Sequence, residues 1–165
     1  MGDVLRVSLI QTDVVWEDKR ANLNKYAAIL SHITGDCDLV VFPEMFTTGF
    51  SMRAEDLAET ITEVKKWSRN YNVAIAGSFI ARAGNVCFNR GFFIEPDGSE
   101  HYYDKRHLFR MGEEGRHFVS GSEKLIVNYR GWNICLLVCY DLRFPVWCRN
   151  VGNEYDLLLF VANWP

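Results

Sequence analysis

Short apolar runs rich in Val, Ile and Leu alternate along this chain with segments whose apolar residues have helical spacing. The runs are continuously apolar, and this pattern is typical of strands that are covered on both faces. Strands of this kind, separated by helices, predict a layered α/β domain. The predicted strands are residues 3–11, 37–42, 72–80, 86–95, 99–105, 124–129, 132–138 and 156–162, and the predicted helices are residues 19–34, 56–70 and 145–152.

Turn and cap residues refine this pattern. Asp18 stands before the first helical segment, where its carboxylate is suited to N-cap the helix. Asp97-Gly98 and Arg130-Gly131 each separate two β-like runs and predict β-hairpins. Because hairpins join antiparallel strands, the sheets are predicted to be mixed rather than purely parallel.

Composition narrows the class of protein. A chain of 165 residues with 48% apolar residues is long enough to bury one core. A net charge of −3 favours neither nucleic acid nor an anionic membrane as partner. The apolar runs are too short to span a bilayer, and residues 1–11 lack the features of a signal peptide. The five cysteines form an odd set, so free thiols in the reducing cytoplasm are expected.

Three polar residues stand where chemistry is expected. Glu44 and Cys139 each follow an apolar strand, and Lys105 follows the outgoing arm of the first hairpin. Binding sites of layered α/β proteins lie outside the carboxyl ends of strands. A glutamate can deprotonate a thiol and an ammonium can stabilise an oxyanion, so the three residues suit acyl transfer through a thioester.

Each of these residues also has an ordinary structural explanation. A cysteine that ends an apolar run is usually a buried thiol, and Glu44 could serve the turn after its strand. Lys105 could be a solvated surface residue, and the same holds for Glu114, nine residues later. Arg143, which follows Cys139 by four residues, could pair with Asp141 or Glu154. The spacing of residues 44, 105 and 139 does not show that their side chains meet.

A metal site is a further alternative. Cys135 and Cys139 are four residues apart and are predicted on one face of a strand, with three histidines nearby in sequence: His101, His107 and His117. The chain has no CxxC pair and no HxxxH pair, so the spacing is not that of a zinc site. We expect no metal.

Three blocks in this order, FPEMFTTGF, YDKRHLF and LLVCYDLRFP, resemble the signatures of the nitrilase superfamily of carbon–nitrogen hydrolases. The blocks DKRHLF and CYDLRFP are most similar to the omega-amidase-like branch. The resemblance implies a four-layer αββα sandwich that commonly forms a homodimer or higher homo-oligomer. It also implies hydrolysis of a small amide, such as an omega-amide of a dicarboxylic acid, without a cofactor.

The resemblance assigns roles residue by residue. It implies Glu44 as general base, Lys105 as the oxyanion-stabilising cation and Cys139 as nucleophile, with the backbone N–H of Tyr140 as second oxyanion donor. It also implies a second glutamate, for which Glu114 fits better than its neighbour Glu113. Arg143 is a candidate for binding a substrate carboxylate, because a guanidinium can bind that group through two hydrogen bonds.

The family domain continues beyond the terminal Asn-Trp-Pro. Residues 1–165 are therefore expected to form the N-terminal portion of a single carbon–nitrogen hydrolase domain. Two other functions stay open at this point. One is a nitrile or carbamoyl-amide hydrolase with the same Glu-Lys-Cys triad, and the other is a truncated, non-catalytic assembly or binding domain.

Overall fold

Two mixed β-sheets form the centre of the fold. The structure, a computed structural model, describes residues 4–33, 37–53 and 58–164. The strands are β1 (Val7–Leu9), β2 (Leu39–Val41), β3 (Ala74–Ala83), β4 (Val86–Ile94), β5 (Glu100–Asp104), β6 (Leu125–Tyr129), β7 (Trp132–Val138) and β8 (Leu157–Val161). The helices are α1 (Lys19–Leu30), α2 (Ala58–Tyr71), α3 (Glu114–His117) and α4 (Pro145–Cys148), and 3-10 turns span Arg110–Gly112 and Cys139–Arg143.

Both sheets combine parallel and antiparallel strands, as predicted. The first sheet has the order β1-β2-β3-β4-β5, with β1, β2 and β3 parallel and β4 and β5 antiparallel to their neighbours. The second has the order β6-β7-β8, with β6 and β7 antiparallel and β7 and β8 parallel. Arg130 and Gly131 both have positive φ, the backbone of a tight two-residue hairpin turn.

The described residues pack as three layers: helices, first sheet and second sheet. Helices α1 and α2 cover one face of the first sheet, through a cluster that includes Tyr26, Leu30 and Trp67. The other face of that sheet packs against the second sheet, and this inter-sheet core includes Phe93 and Leu136. A two-sheet α/β sandwich is thereby confirmed, with three of the four expected layers in the described ranges. Within those ranges no helix has the length and apolar character needed to cross a membrane.

Predicted and observed boundaries agree best where local chemistry fixes them. The Asp18 carboxylate accepts a hydrogen bond from the backbone N–H of Ala21 at 2.9 Å, which confirms the predicted N-cap. Helix α1 ends at Leu30, four residues before its predicted end at Thr34, which lies outside the described residues. The predicted first turn of α2, at Asp56 and Leu57, also lies outside them.

Two expectations are wrong. The first predicted strand is reduced to β1, whose Leu9 is 72% exposed, so this strand is not covered on both faces. Since β1 is an edge strand that pairs with only three residues of β2, its apolar side chains lack a covering layer in the described structure. The helix predicted over 145–152 ends at Cys148, because the backbone of Arg149 is extended, and positive φ at Gly152 and Asn153 then turns the chain toward β8.

The loop after β5 depends on Gly121. Its N–H donates to the Lys105 carbonyl at 3.0 Å. A Cβ at this position would lie 2.0 Å from the Asp104 carbonyl oxygen, so the backbone has no room for a side chain.

Gly121→Ala is expected to lower the free energy of unfolding by about 2–3 kcal/mol, because the added methyl group must displace backbone. Gly115→Ala is the matched control, since a Cβ at Gly115 meets no atom within 4 Å. Urea denaturation measures both. Equal stability of the two variants would contradict the close packing of the backbone at Gly121.

Candidate active site

Cys139 begins a sharp turn at the carboxyl end of β7. Its φ is +46°, in the left-handed region that non-glycine residues rarely adopt. The chain leaves the strand at Val138 and enters the 3-10 turn Cys139–Arg143. The prediction that Cys135 and Cys139 share one face of a strand is therefore wrong. Cys135 lies within β7 and is fully buried, whereas Cys139 stands after the strand has ended and lines a cavity.

Asp141 fixes this turn from beneath. Its buried carboxylate accepts hydrogen bonds from the Tyr103 hydroxyl at 2.7 Å and from the Val138 N–H at 3.1 Å. The backbone N–H of His107 also donates to it, at 2.9 Å. The nucleophile turn is thus tied to β5 and to the segment just after Lys105. Strained backbone persists only where surrounding contacts over-determine it, and Asp141 supplies those contacts.

Lys105 lies between two carboxylates, and all three side chains are fully buried. Its Nζ is 2.8 Å from Glu44 Oε1 and 3.0 and 3.1 Å from the two oxygens of Glu114. The Phe50 ring lies under the ammonium, with Nζ 5.6 Å from the ring centroid. The structure thus brings Glu44, Lys105 and Glu114 together, although 61 residues separate the first two in sequence.

The carboxylates determine the charge state of the neighbouring groups. Burial alone would lower the pKa of the Lys105 ammonium, but Glu44 and Glu114 outweigh it and the pKa is raised. Burial, followed by the charge and hydrogen bond of Glu44, raises the pKa of the Cys139 thiol to about 12. At neutral pH the site therefore holds a protonated thiol beside a carboxylate that can accept its proton.

Other predicted residues occupy distinct places. Tyr140 is the second residue of the 3-10 turn, where backbone N–H groups lack partners within the turn, and its ring contacts Phe109 edge-on. Arg143 is exposed, and its guanidinium lies 5.4 Å from the Trp164 ring centroid. It is not among the described residues that line the cavity, although Trp164 is.

The structural alternatives for Glu114 and Arg143 are not observed. Glu114 is buried, whereas Glu113 is exposed and pairs with Arg116 at 2.7 Å. Asp141 is buried beneath the turn, and Glu154 pairs with Lys124 rather than with Arg143. Within residues 4–33, 37–53 and 58–164, no group of three or more His, Cys, Asp or Glu side chains could hold a metal ion.

A cavity of about 1660 Å³ opens over Cys139. Its floor includes Glu44 and Cys139, and aromatic side chains at Phe50, Phe109 and Trp164 form part of its walls. A broad aromatic cavity with a few convergent polar groups is typical of a small-molecule site. The thiol therefore faces space in which a substrate can bind.

Sequence reasoning missed two site residues, Asn89 and Asp141. Asn89 lies inside β4, and its amide nitrogen donates to Glu44 Oε1 at 2.7 Å and to Glu114 Oε1 at 2.8 Å. For Asp141 the sequence suggests only a surface ion pair with Arg143. A polar residue inside an apolar strand was the available signal for Asn89, since buried polar groups need hydrogen-bond partners.

A buried thiol that lies beside two carboxylates and an ammonium, and that lines a cavity, is the arrangement that acyl transfer through a thioester needs. Residues 6–164 match the Carbon-nitrogen hydrolase family. The chain belongs to this family.

Relatives with assigned names agree with this placement. The chain is 47% identical to omega-amidase YafV of Escherichia coli K12 over 98% of its own length and 64% of that protein. It is 29% identical to 2-oxoglutaramate amidase of Bacillus subtilis, covering 96% of this chain and 65% of that one. The crystal structure of XC1258 from Xanthomonas campestris, a CN-hydrolase superfamily protein with an arsenic adduct in its active site, superposes with a TM-score of 0.93 at 44% identity, over 98% of this chain and 65% of that one. The chain spans slightly less than two thirds of the length of these relatives.

Tyr103→Phe is expected to lower the free energy of unfolding by about 2 kcal/mol, because the buried Asp141 carboxylate loses a hydrogen-bond donor. Tyr102→Phe is the matched control on the same strand, since Tyr102 is 37% exposed. Urea denaturation distinguishes them. A cost no greater than that of Tyr102→Phe would argue against Asp141 as the anchor of the turn.

Proposed function

We propose that the protein hydrolyses a small amide to a carboxylate and ammonia through a thioester on Cys139. The observation that carries the proposal is the position of Glu44. Its carboxylate hydrogen-bonds the Lys105 ammonium, its charge raises the pKa of the Cys139 thiol, and it lines an open cavity together with that thiol. A base, a cation and a nucleophile therefore surround one point at which a carbonyl group can bind.

In the first half-reaction, Glu44 accepts the thiol proton as Cys139 Sγ bonds to the amide carbonyl carbon. The negative charge that develops on the carbonyl oxygen is stabilised by Lys105 and by the backbone N–H of Tyr140. An ammonium has three N–H donors, so one donated to Glu44 and one shared between the two oxygens of Glu114 leave a third for the oxyanion. The C–N bond then breaks, and the amine leaves as ammonia with the proton held by Glu44.

In the second half-reaction, a water molecule replaces ammonia. Glu44 takes a proton from this water as its oxygen bonds to the thioester carbon. The C–S bond breaks, the proton returns to the sulfur, and the carboxylic acid ionises as it leaves. Throughout the cycle Glu114 holds the Lys105 ammonium in place through both of its oxygens.

The substrate class proposed is an omega-amide of a dicarboxylic acid. The names of the two relatives support this class, as both are amidases and one is called a 2-oxoglutaramate amidase. Arg143 is the proposed partner for the free carboxylate of the substrate. The support for this role is that the Arg143 guanidinium lies 5.4 Å from the centroid of the Trp164 ring, which lines the cavity.

Two further features that the resemblance implies are part of the same proposal. The protein is proposed to be cytoplasmic and to form a homodimer or higher homo-oligomer. Free thiols at all five cysteines agree with a reducing compartment. Size measurement in solution by light scattering tests the oligomeric state.

Trapping the intermediate tests the proposed reaction. Mass spectrometry of protein quenched during turnover of a short-chain omega-amide is expected to show an acyl adduct on the peptide that carries Cys139. Cys139→Ala is expected to lose at least about 10³-fold in turnover, because the covalent route is removed. Full activity of Cys139→Ser, or an adduct on another cysteine, would refute the mechanism.

Glu44→Gln is expected to abolish turnover and yet to let the Cys139 thiolate form at lower pH. The Glu44 charge contributes to raising the pKa of this thiol to about 12, so its removal lowers that pKa. Thiolate absorbance near 240 nm, corrected with the matching Cys139→Ala variant, measures the titration.

Glu113→Gln is the control for this titration, since Glu113 is an exposed carboxylate that pairs with Arg116. The thiolate titration of that variant should match the wild type. A titration of Glu44→Gln at unchanged or higher pH would contradict the electrostatic coupling between Glu44 and Cys139.

A further inference from the structure

Asn89 is the one amide side chain, among the described residues, that bridges the two buried carboxylates. It lies in the middle of β4 with no exposed surface. One amide group donates to Glu44 Oε1 at 2.7 Å and to Glu114 Oε1 at 2.8 Å. Both amide hydrogens are therefore committed to carboxylates.

The orientation of the Asn89 amide is dictated by its neighbours. Its Oδ1 accepts a hydrogen bond from the Ser78 hydroxyl at 2.9 Å, and Ser78 Oγ in turn accepts from the Met45 N–H at 3.0 Å. The Ser78 oxygen is already an acceptor for Met45, so its hydrogen is free to point at Asn89. The opposite amide orientation would place a carbonyl oxygen against two carboxylates, which is repulsive.

A count of acceptor sites distinguishes the two glutamates. Each carboxylate oxygen has room for about two hydrogen bonds. In Glu114, Oε1 accepts from Asn89 and Lys105, and Oε2 accepts from Lys105 and from the backbone N–H of Phe109. Both of its oxygens are occupied, so Glu114 has no acceptor site left for a proton.

Glu44 is filled on one oxygen only. Its Oε1 accepts from Lys105 at 2.8 Å and from Asn89 at 2.7 Å. Its Oε2 accepts one backbone bond, a longer one of 3.2 Å from the N–H of Asn163, and no other bond from a backbone N–H, lysine or amide of the described residues. The remaining acceptor site of the carboxylate pair therefore lies on Glu44 Oε2.

We propose that Asn89 is a positioning residue that makes Glu44 Oε2 the single proton-accepting atom of the site, by filling Oε1 of both glutamates. This inference deepens the proposed function and rests on it. The titratable groups that face Glu44 are Lys105, Glu114 and Cys139, which come from three different elements. Asn89 is the neutral group among them, so it directs the proton without changing the net charge.

Removing the amide should change where protons bind. Asn89→Leu preserves size but opens an acceptor site on each glutamate and withdraws two donors that stabilise their charged forms. The carboxylate pair then becomes protonated from solvent at a higher pH than in the wild type. A protonated pair cannot accept the thiol proton. The acid limb of kcat/KM is expected to move up by about one pH unit, with kcat reduced about 10²-fold and KM nearly unchanged.

Asn89→Asp is the second variant, in case the leucine disturbs folding. It has the shape of asparagine but adds a third carboxylate beside the first two, which favours protonated forms still more. The acid limb is expected to move further in the same direction.

Asn22→Leu is the matched control. Asn22 is also fully buried, and it bonds the backbone of Val15 and Thr47 instead of the glutamates. Loss of those bonds should lower stability without moving the acid limb.

The rate of Cys139 alkylation by iodoacetamide, followed on its own peptide across pH, gives a readout independent of amide turnover. Shifts in both Asn89 variants but not in Asn22→Leu would support the proposal. If the Asn89 variants fold and the pH dependence of their Cys139 alkylation rate equals that of the wild type, the proposal is overturned. If the wild type hydrolyses no amide, the proposed function fails, while the alkylation profile still decides the role of Asn89.

Discussion

The ion cluster of Lys105 with Glu44 and Glu114 is the constraint on which the rest of the structure depends. Removing three charges from water costs several kcal/mol for each, and Coulomb attraction offsets this only with good geometry and further hydrogen bonds. The amide of Asn89 and backbone N–H groups after β8 and before α3 supply those bonds. Residues from both sheets and from the loops between their strands must therefore converge on one point, which constrains how the two sheets pack.

The same cluster explains the state of the thiol. Two carboxylates and one ammonium leave a net negative charge beside Cys139, so burial and Glu44 together keep the thiol protonated at neutral pH. In the proposed reaction, Glu44 therefore takes the thiol proton as the sulfur bonds to the substrate carbonyl carbon, and no free thiolate precedes the attack. This arrangement differs from a cysteine beside a protonated histidine, where the thiolate is stabilised in advance. Under this proposal, Glu44 couples deprotonation of the thiol to its attack on the substrate.

Sequence patterns were reliable where the cause is local. The Asp18 cap, the Arg130-Gly131 turn and the end of β7 at Val138 each follow from a few neighbouring residues. The patterns were unreliable where contacts between distant parts of the chain determine whether a segment is buried or where it ends. The apolar run at β1 looked covered on both faces, but Leu9 is exposed because no described layer packs over this edge strand. The helix after Pro145 is shorter than predicted, because the backbone becomes extended at Arg149 on its way to β8.

The sequence by itself determined which residue types stand at the strand ends: Glu44, Lys105 and Cys139, with Glu114 chosen over Glu113 through the family resemblance. It could not show that these side chains meet, because the contact between Glu44 and Lys105 alone joins segments 61 residues apart. Only the tertiary structure revealed the roles of Asn89 and Asp141. In a sequence both are isolated polar residues, and their function comes from buried hydrogen bonds that exist only after the sheets have packed.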